Sequence, residues 1–410
     1  MVELRNWAGN FGYGADRLHR PDGVEQVQEI VARARRAKAL GTRHSFNAIA
    51  DTEADLISLE NLRGISIDPQ ERTVTLEGGV AYGELCRYLN ERGWAIHNLA
   101  SLPHISVAGA CATGTHGSGD ANGNLATAVV AMSVVTADGE IVEFAGDDLA
   151  AAAVHLGGLG VVARLTLGIQ PAFSVAQSVY DDLPLDGVLE RFEEIMSCAY
   201  SVSLFTRWQD SRIDQVWVKR RAGEGRPVDL GTPAPEKRHP IRSIPPENCT
   251  EQLGVPGPWH ERLPHFRLEY MPSAGKELQS EYLAPRRHAV GVMRVVSELG
   301  PILDPILQIS EVRTMAADEL WMSPAFGRPT VGIHFTWTQD WARVSEALPI
   351  VEEKLAPFEA RPHWGKLFAM SGGGLAELYP RMGEFRALLE RHDPKGKFRN
   401  AFLERAVWSR

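Results

Sequence analysis

Apolar positions recur every three or four residues across residues 23–39 (GVEQVQEIVARARRAKA), at Val24, Val27, Ile30, Val31 and Ala34, just after the start signals Pro21 and Asp22. A stripe with that period predicts a helix over the whole segment. Residues 72–77 (RTVTLE) alternate strictly and predict a strand, and residues 82–92 carry a short amphipathic helical pattern. Two alternating runs within residues 127–142 meet at Ala137-Asp138-Gly139, and Asp-Gly between such runs predicts a β-hairpin. Residues 159–169 add another strand, so this part of the chain is mixed α+β without regular βαβ units.

The pattern changes after Gln170-Pro171. Long strands alternate with helices from Phe173 to about Phe368, interrupted by a proline-rich, turn-rich stretch over residues 226–259. So long a loop inside a compact domain is uncommon. It is either a rim over a functional site or a solvated insertion. Residues 375–410 open with a helix and contain the turn sequence DPKGKFRN. No internal repeat, heptad or low-complexity tract is present.

Two small-residue segments stand out, residues 40–47 (LGTRHSFN) and 106–119 (SVAGACATGTHGSG). Glycine lets the backbone approach a ligand closely, and Ser, Thr and free amide groups bind a diphosphate in a concave nest. Neither segment is a P-loop. Gly158, Gly160 and Ala163 approach a dinucleotide fingerprint but run into a strand-like stretch instead of opening a helix.

A chain of 410 residues has ample material for two or three domains. A net charge of −9 and the lack of a basic stripe argue against a nucleic-acid surface and point to a neutral substrate. Glu3 and Arg5 interrupt any leader-like apolar run, and no stretch approaches a membrane span, which predicts a cytoplasmic location. Cys86, Cys111, Cys198 and Cys249 are too few and scattered for a disulfide framework. His97, His104 and His116 are irregularly spaced, with no nearby carboxylate or cysteine to complete a zinc site, so no metal is expected.

Strand periodicity outlines a ligand face. In residues 305–315 (PILQISEVRTM) alternation puts Leu307, Ile309, Glu311 and Arg313 on one side. In residues 330–337, Gly332, His334 and Thr336 share one side and Ile333, Phe335 and Trp337 the other, which suits a sheet with a core face and a ligand face. Lys366 lies between Trp364 and Phe368. On residues alone, Lys366 reads as a solvated surface group and His44 as a hydrogen-bonded structural residue.

Seven segments in order carry a more specific signal: NWAGN (6–10), RHSFN (43–47), LPHISVAGACATGTHGSG (102–119), EVR (311–313), GIHFTW (332–337), HWGK (363–366) and DPKGKFRN (393–400). Along nearly the whole chain they resemble the FAD-dependent oxidoreductases of the vanillyl-alcohol oxidase type, the alditol oxidase group above all. The resemblance implies a two-domain α+β flavoprotein, with an FAD-binding domain over residues 1–171, a cap domain with a mainly antiparallel sheet flanked by helices over 172–368, and a return to the FAD-binding domain over 369–410. It implies FAD joined covalently through His44, although Arg43 stands where many relatives have glycine. Gly41, Thr42, Arg43, Ser45, Ser106, Gly109, Thr113, Gly114, His116, Gly117, Ser118 and Val162 are the implied cofactor contacts. Ser106, Gln279, Glu311, Arg313, His334, Thr336 and Lys366 are the implied polyol contacts, with Arg313, Lys366 and Glu311 catalytic. The implied reaction is oxidation of a terminal alditol hydroxyl to the aldose, with dioxygen reduced to hydrogen peroxide by a monomeric enzyme. A sugar-1,4-lactone oxidase or dehydrogenase of the same fold is the alternative, and a flavin- or carbohydrate-binding protein without turnover a more distant one.

Overall fold

The helix expected over residues 23–39 divides in two in the computed structural model, which describes residues 4–226 and 228–409. The helix spans Val24–Arg33 and ends as Ala34 turns extended, while Ala37–Leu40 forms a strand. The reason is tertiary. Ala37–Leu40 pairs in parallel with Asp55–Ser58, whose other edge takes Arg17–His19. The apolar stripe still does its work, because Val24, Val27 and Val31 pack with Ile57, Leu59, Val161 and Phe398.

Beside this small sheet lies a five-stranded antiparallel one, in the order Ile65–Asp68, Thr73–Glu77, Val161–Gly168, Val129–Val135, Ile141–Ala145. Its last two strands are the expected hairpin. The turn closes through Thr136 N–H to Glu140 O at 2.9 Å, with Gly139 at φ 88°, a conformation that favours glycine. The expected amphipathic helix is Tyr82–Asn90.

The larger layer is an eight-stranded antiparallel sheet. Its order is Gly257–Pro258, Ser174–Pro184, Arg212–Arg221, Ser201–Thr206, Leu307–Met315, Thr330–Trp337, Leu278–Pro285, Arg361–Pro362. Val202, Leu204, Val216, Val312, Ile333 and Phe335 turn to the main core, together with residues of the helices Ala289–Glu298 and Trp341–Leu355. The alternate positions form a second, mostly polar face that is also buried. Both faces of the central strands are therefore covered, which explains why the polar positions are not solvated.

One expectation about this sheet fails. Leu307 does not share a face with Ile309, Glu311 and Arg313, because the ladder slips between Leu307 and Ile309 and sets Leu307 opposite Trp337. Leu307 packs in the main core instead. The stretch after residue 226 is not a solvated insertion either. Ala234, Cys249 and Phe266 pack against Phe205 and Trp217 on the sheet's second face.

The last residues close the molecule on its beginning. Asp393 accepts from the N–H groups of Lys397 and Phe398, both at 2.7 Å, which folds DPKGKFRN into a compact turn. Lys397 O accepts from Ala37 N–H, and Lys397 Nζ donates to Ala137 O at 2.6 Å. Asn400 donates to Ala48 O, Ile49 O and Asp51 O and caps the N–H of Leu403. Asn400→Ala should destabilise the fold by about 2–3 kcal/mol, the sum expected for a lost cap and the lost bonding of its two amide N–H groups, which the three carbonyls share. A lowered thermal midpoint checks this, and an unchanged midpoint would show that the clasp is idle.

Candidate active site

Between the small-residue segments and the polar face of the large sheet lies a cavity with about 1790 Å³ of empty space, its open mouth included. Gly41, Thr42, Arg43, His44, Ser45, Ser106, Gly109, Thr113 and Val162 line one side. Gln279, Glu311, Arg313, His334, Thr336 and Lys366 line the other, with His116 also on the wall. Gly114, Gly117 and Ser118 are not on it. Ser118 Oγ donates to Val202 O, and a Cβ on Gly117 would fall 2.3 Å from Leu99 O, so this end of the loop packs on the protein itself.

The first wall is made of small residues for a steric reason. A Cβ on Gly41 would lie 2.5 Å from Ser106 Oγ, and one on Gly109 2.7 Å from the same atom. Thr42 Oγ1 accepts from Ser106 N–H at 3.0 Å and meets His44 Nδ1 at 3.0 Å. Trp7 stacks on the His44 ring at 5.6 Å. Asn6 and Asn10 donate to Ser45 O and Phe46 O, so the NWAGN segment straps down the histidine loop. His44 Nε2 is buried without a partner, and burial lowers the ring's pKa to about 4. A neutral imidazole with an unused nitrogen at a cavity walled by glycines and hydroxyls fits a bound flavin, covalently linked or not. Arg43 sits at φ 64°, in the left-handed region that favours glycine, and keeps this turn with a side chain.

The second wall is organised around a residue that sequence reasoning missed. Glu281 has no exposed side-chain surface, and its carboxylate accepts from Arg313 Nη2 and Lys366 Nζ, each at 2.6 Å. His116 Nε2 lies 3.2 Å away. Burial opposes its charge, but Arg313, Lys366 and His116 outweigh burial and hold the carboxyl well below the usual range. Lys366 also donates to His334 Nδ1 at 2.5 Å, which leaves His334 Nε2 to meet Thr336 Oγ1 at 3.0 Å. Burial, then Lys366, keeps His334 neutral with a pKa near 4. Glu311 is likewise held low, since Arg313 and His265 outweigh its burial. Gln279 donates to Glu277. On this wall two carboxylates thus balance two cations, which suits a neutral, hydroxyl-rich ligand.

Register explains the convergence. Glu281 and Glu311 both pair with His334, and Arg313 pairs with Gly332, so three adjacent strands aim these side chains at one place. Asn47 then donates to Trp364 O and Lys366 O, which ties the lysine segment to the histidine loop. Glu281 stands two residues beyond Gln279 on the same strand, so alternation would have found it. His363 and His265, also at the cavity, lie in segments without periodicity. His116, Glu281 and His363 are close enough to share an ion. Glu281 already faces two cations, however, and a third positive charge does not fit there. Burial pushes the Cys111 thiol up to about 12, and all four cysteines are free and buried.

Comparisons with known proteins agree with this anatomy. Residues 15–145 match the FAD binding domain family, and residues 276–406 match the D-arabinono-1,4-lactone oxidase family. The chain is 48% identical to an alditol oxidase of Streptomyces sp., over 98% of each chain. It is 28% identical to L-gulono-1,4-lactone dehydrogenase of Mycobacterium tuberculosis, over 98% of each, and 26% identical to L-gulonolactone oxidase of Bos taurus, over 99% of this chain and 98% of that one. Cholesterol oxidase from Brevibacterium sterolicum shares the fold, with a TM-score of 0.80 at 14% identity over 98% of this chain and 96% of that one. A cofactor wall and an ion-paired sheet face, carried by a chain so similar to a curated relative over its full length, place it in a family: the chain belongs to the alditol oxidases, FAD-binding oxidoreductases of the vanillyl-alcohol oxidase type.

Proposed function

We propose that this protein is an FAD-dependent alditol oxidase that converts the terminal CH–OH of a neutral polyol such as xylitol or sorbitol to the aldose. The observation that carries this reading is the meeting, in one cavity, of a buried ion-paired face bearing Glu281, Glu311, Arg313 and Lys366 with the His44 loop. FAD bound in this cavity would supply the acceptor for the carbinol hydride and the route of its electrons to dioxygen, giving hydrogen peroxide. Gly41, Thr42, Ser45, Ser106, Gly109, Thr113 and Val162 would hold it, and the spare ring nitrogen of His44 supports a covalent link. The division into a flavin-binding part (1–171 with 369–410) and a cap (172–368) belongs to the same reading.

Glu311, deprotonated, accepts from the hydroxyl at the reacting carbon and draws its proton. Arg313 and Lys366 are fixed donors for the negative charge that develops on that oxygen, and their burial strengthens the effect. Ser106, Gln279, His334 and Thr336 supply hydrogen bonds to the remaining hydroxyls. Four buried free cysteines suit a reducing compartment, and we read the protein as a cytoplasmic monomer. The lactone reading is favoured by the family match over residues 276–406.

Three outcomes are expected. Anaerobic xylitol should bleach the flavin absorbance quickly, whereas bleaching by an aldonolactone and not by xylitol or sorbitol would transfer the assignment to the lactone enzymes. Lys366→Met and Arg313→Met should each slow that bleaching by roughly 100- to 1000-fold, the range for loss of one oxyanion donor, at unchanged flavin content. Rates equal to wild type in both would remove these residues from the chemistry. On acid precipitation the wild-type flavin should stay with the protein and that of His44→Ala should appear in the supernatant. Free flavin from both would refute the covalent link.

A further inference from the structure

Behind Glu311, on the side away from the Glu281 network, two further ionisable groups are buried in a row. Lys219 comes from the strand Arg212–Arg221 and His265 from the segment that follows the long loop. Lys219 Nζ meets His265 Nδ1 at 3.0 Å, and His265 Nε2 meets Glu311 Oε1 at 2.8 Å. The other acceptors of the ammonium are Leu263 O and Pro264 O, so its three N–H groups find three partners. The His265 ring is held edge-on by Phe205 and Trp217, and its backbone N–H donates to Ser101 O. His265 reaches the cavity wall and Lys219 does not.

We infer that Lys219 and His265 are a positioning pair for Glu311: the ammonium occupies Nδ1, which keeps the imidazole neutral and turns its Nε2–H onto one carboxylate oxygen, leaving the other oxygen for a substrate hydroxyl. The inference rests on the alditol oxidase reading for its last clause alone. An ammonium has no acceptor lone pair, so the nitrogen it meets must be the acceptor and the proton must sit on the opposite one. The groups facing this row are few. Glu311, Arg313 and Cys249 face Lys219, and Lys219, Glu311 and Arg313 face His265. His334 and Arg313 face Glu311 from the cavity side. Burial, with Lys219 next, lowers the His265 pKa to about 4, and burial lowers that of Lys219 to about 7. Without the ammonium, only burial and Arg313 would oppose the pull of Glu311 on His265. The ring would then take a second proton more readily, forming an ion pair that competes with the substrate for the carboxylate.

Imidazole nitrogen spectra of the ¹⁵N-labelled holoenzyme test this directly, with the His265 signals identified by their loss in His265→Gln. Between about pH 5 and pH 6, above the pKa of His265 and below that of Lys219, wild-type His265 should keep a bare Nδ1 and a protonated Nε2. In Lys219→Met the ring should become doubly protonated at a pH at least about one unit higher than in wild type. A doubly protonated ring or a bare Nε2 in the wild-type protein at about pH 6, where Lys219 is still an ammonium, overturns the inference, whether or not Lys219→Met folds. In stopped-flow reduction by xylitol, His265→Leu should be about 10- to 100-fold slower, the loss expected for one hydrogen bond to a charged group. His265→Gln, which keeps an N–H near Nε2, should recover most of that loss. Wild-type rates in His265→Leu also overturn it. If xylitol fails to reduce the wild-type flavin, the substrate reading falls while the nitrogen spectra still decide the placement of the proton.

Discussion

A carboxylate removed wholly from water keeps its charge only where cations meet it, and Glu281 is met by two, Arg313 and Lys366. Breaking such a pair leaves an uncompensated buried charge, at a cost of about 3–5 kcal/mol. The same requirement holds the geometry of the cavity, because each cation comes from a different segment and each is positioned by the one acceptor. Strand order serves that end. The strand carrying His334 lies between those carrying Glu281 and Glu311, and His334 pairs with both. The Lys366 segment is then secured by Asn47 from across the cavity. Neutral His334, between Lys366 and Thr336, continues the hydrogen bonding without adding charge.

The opposite wall depends on the absence of side chains. Ser106 Oγ lies so near Gly41 and Gly109 that any side chain at either position would displace it. Thr42 joins the two segments through one oxygen that meets both Ser106 N–H and His44 Nδ1. The stack of Trp7 on His44 and the bonds from Asn6 and Asn10 make the amino-terminal segment a part of this wall. Arg43 keeps the left-handed turn between Thr42 and His44 despite its side chain, at about 1–2 kcal/mol of intrinsic backbone strain.

Local periodicity carried much of this into view. The hairpin at Asp138-Gly139, the strand Thr73–Glu77 and the placing of His334 and Thr336 opposite Ile333 and Phe335 all follow from alternation and turn chemistry. The failures come where tertiary pairing overrides local pattern. Ala37–Leu40 left the helical stripe to pair with Asp55–Ser58, and a slipped ladder took Leu307 off the ligand face. Glu281 was legible and overlooked. Lys219 and His265 were not legible, since one lies in a strand buried on both faces and the other in an irregular segment, and only the folded chain brings them to Glu311.

The clasp formed by residues 393–403 has a bearing on how the protein is made. Ala37 donates to Lys397 O, and the carbonyls of Ala48, Ile49 and Asp51, beside the histidine loop, accept from Asn400. A chain emerging from the ribosome presents the His44 and Ser106 segments long before these partners exist. Synthesis must pass residue 400 before the cofactor wall can close, so acquisition of the flavin follows the emergence of this segment, and a chain terminated before it would leave that wall without its brace.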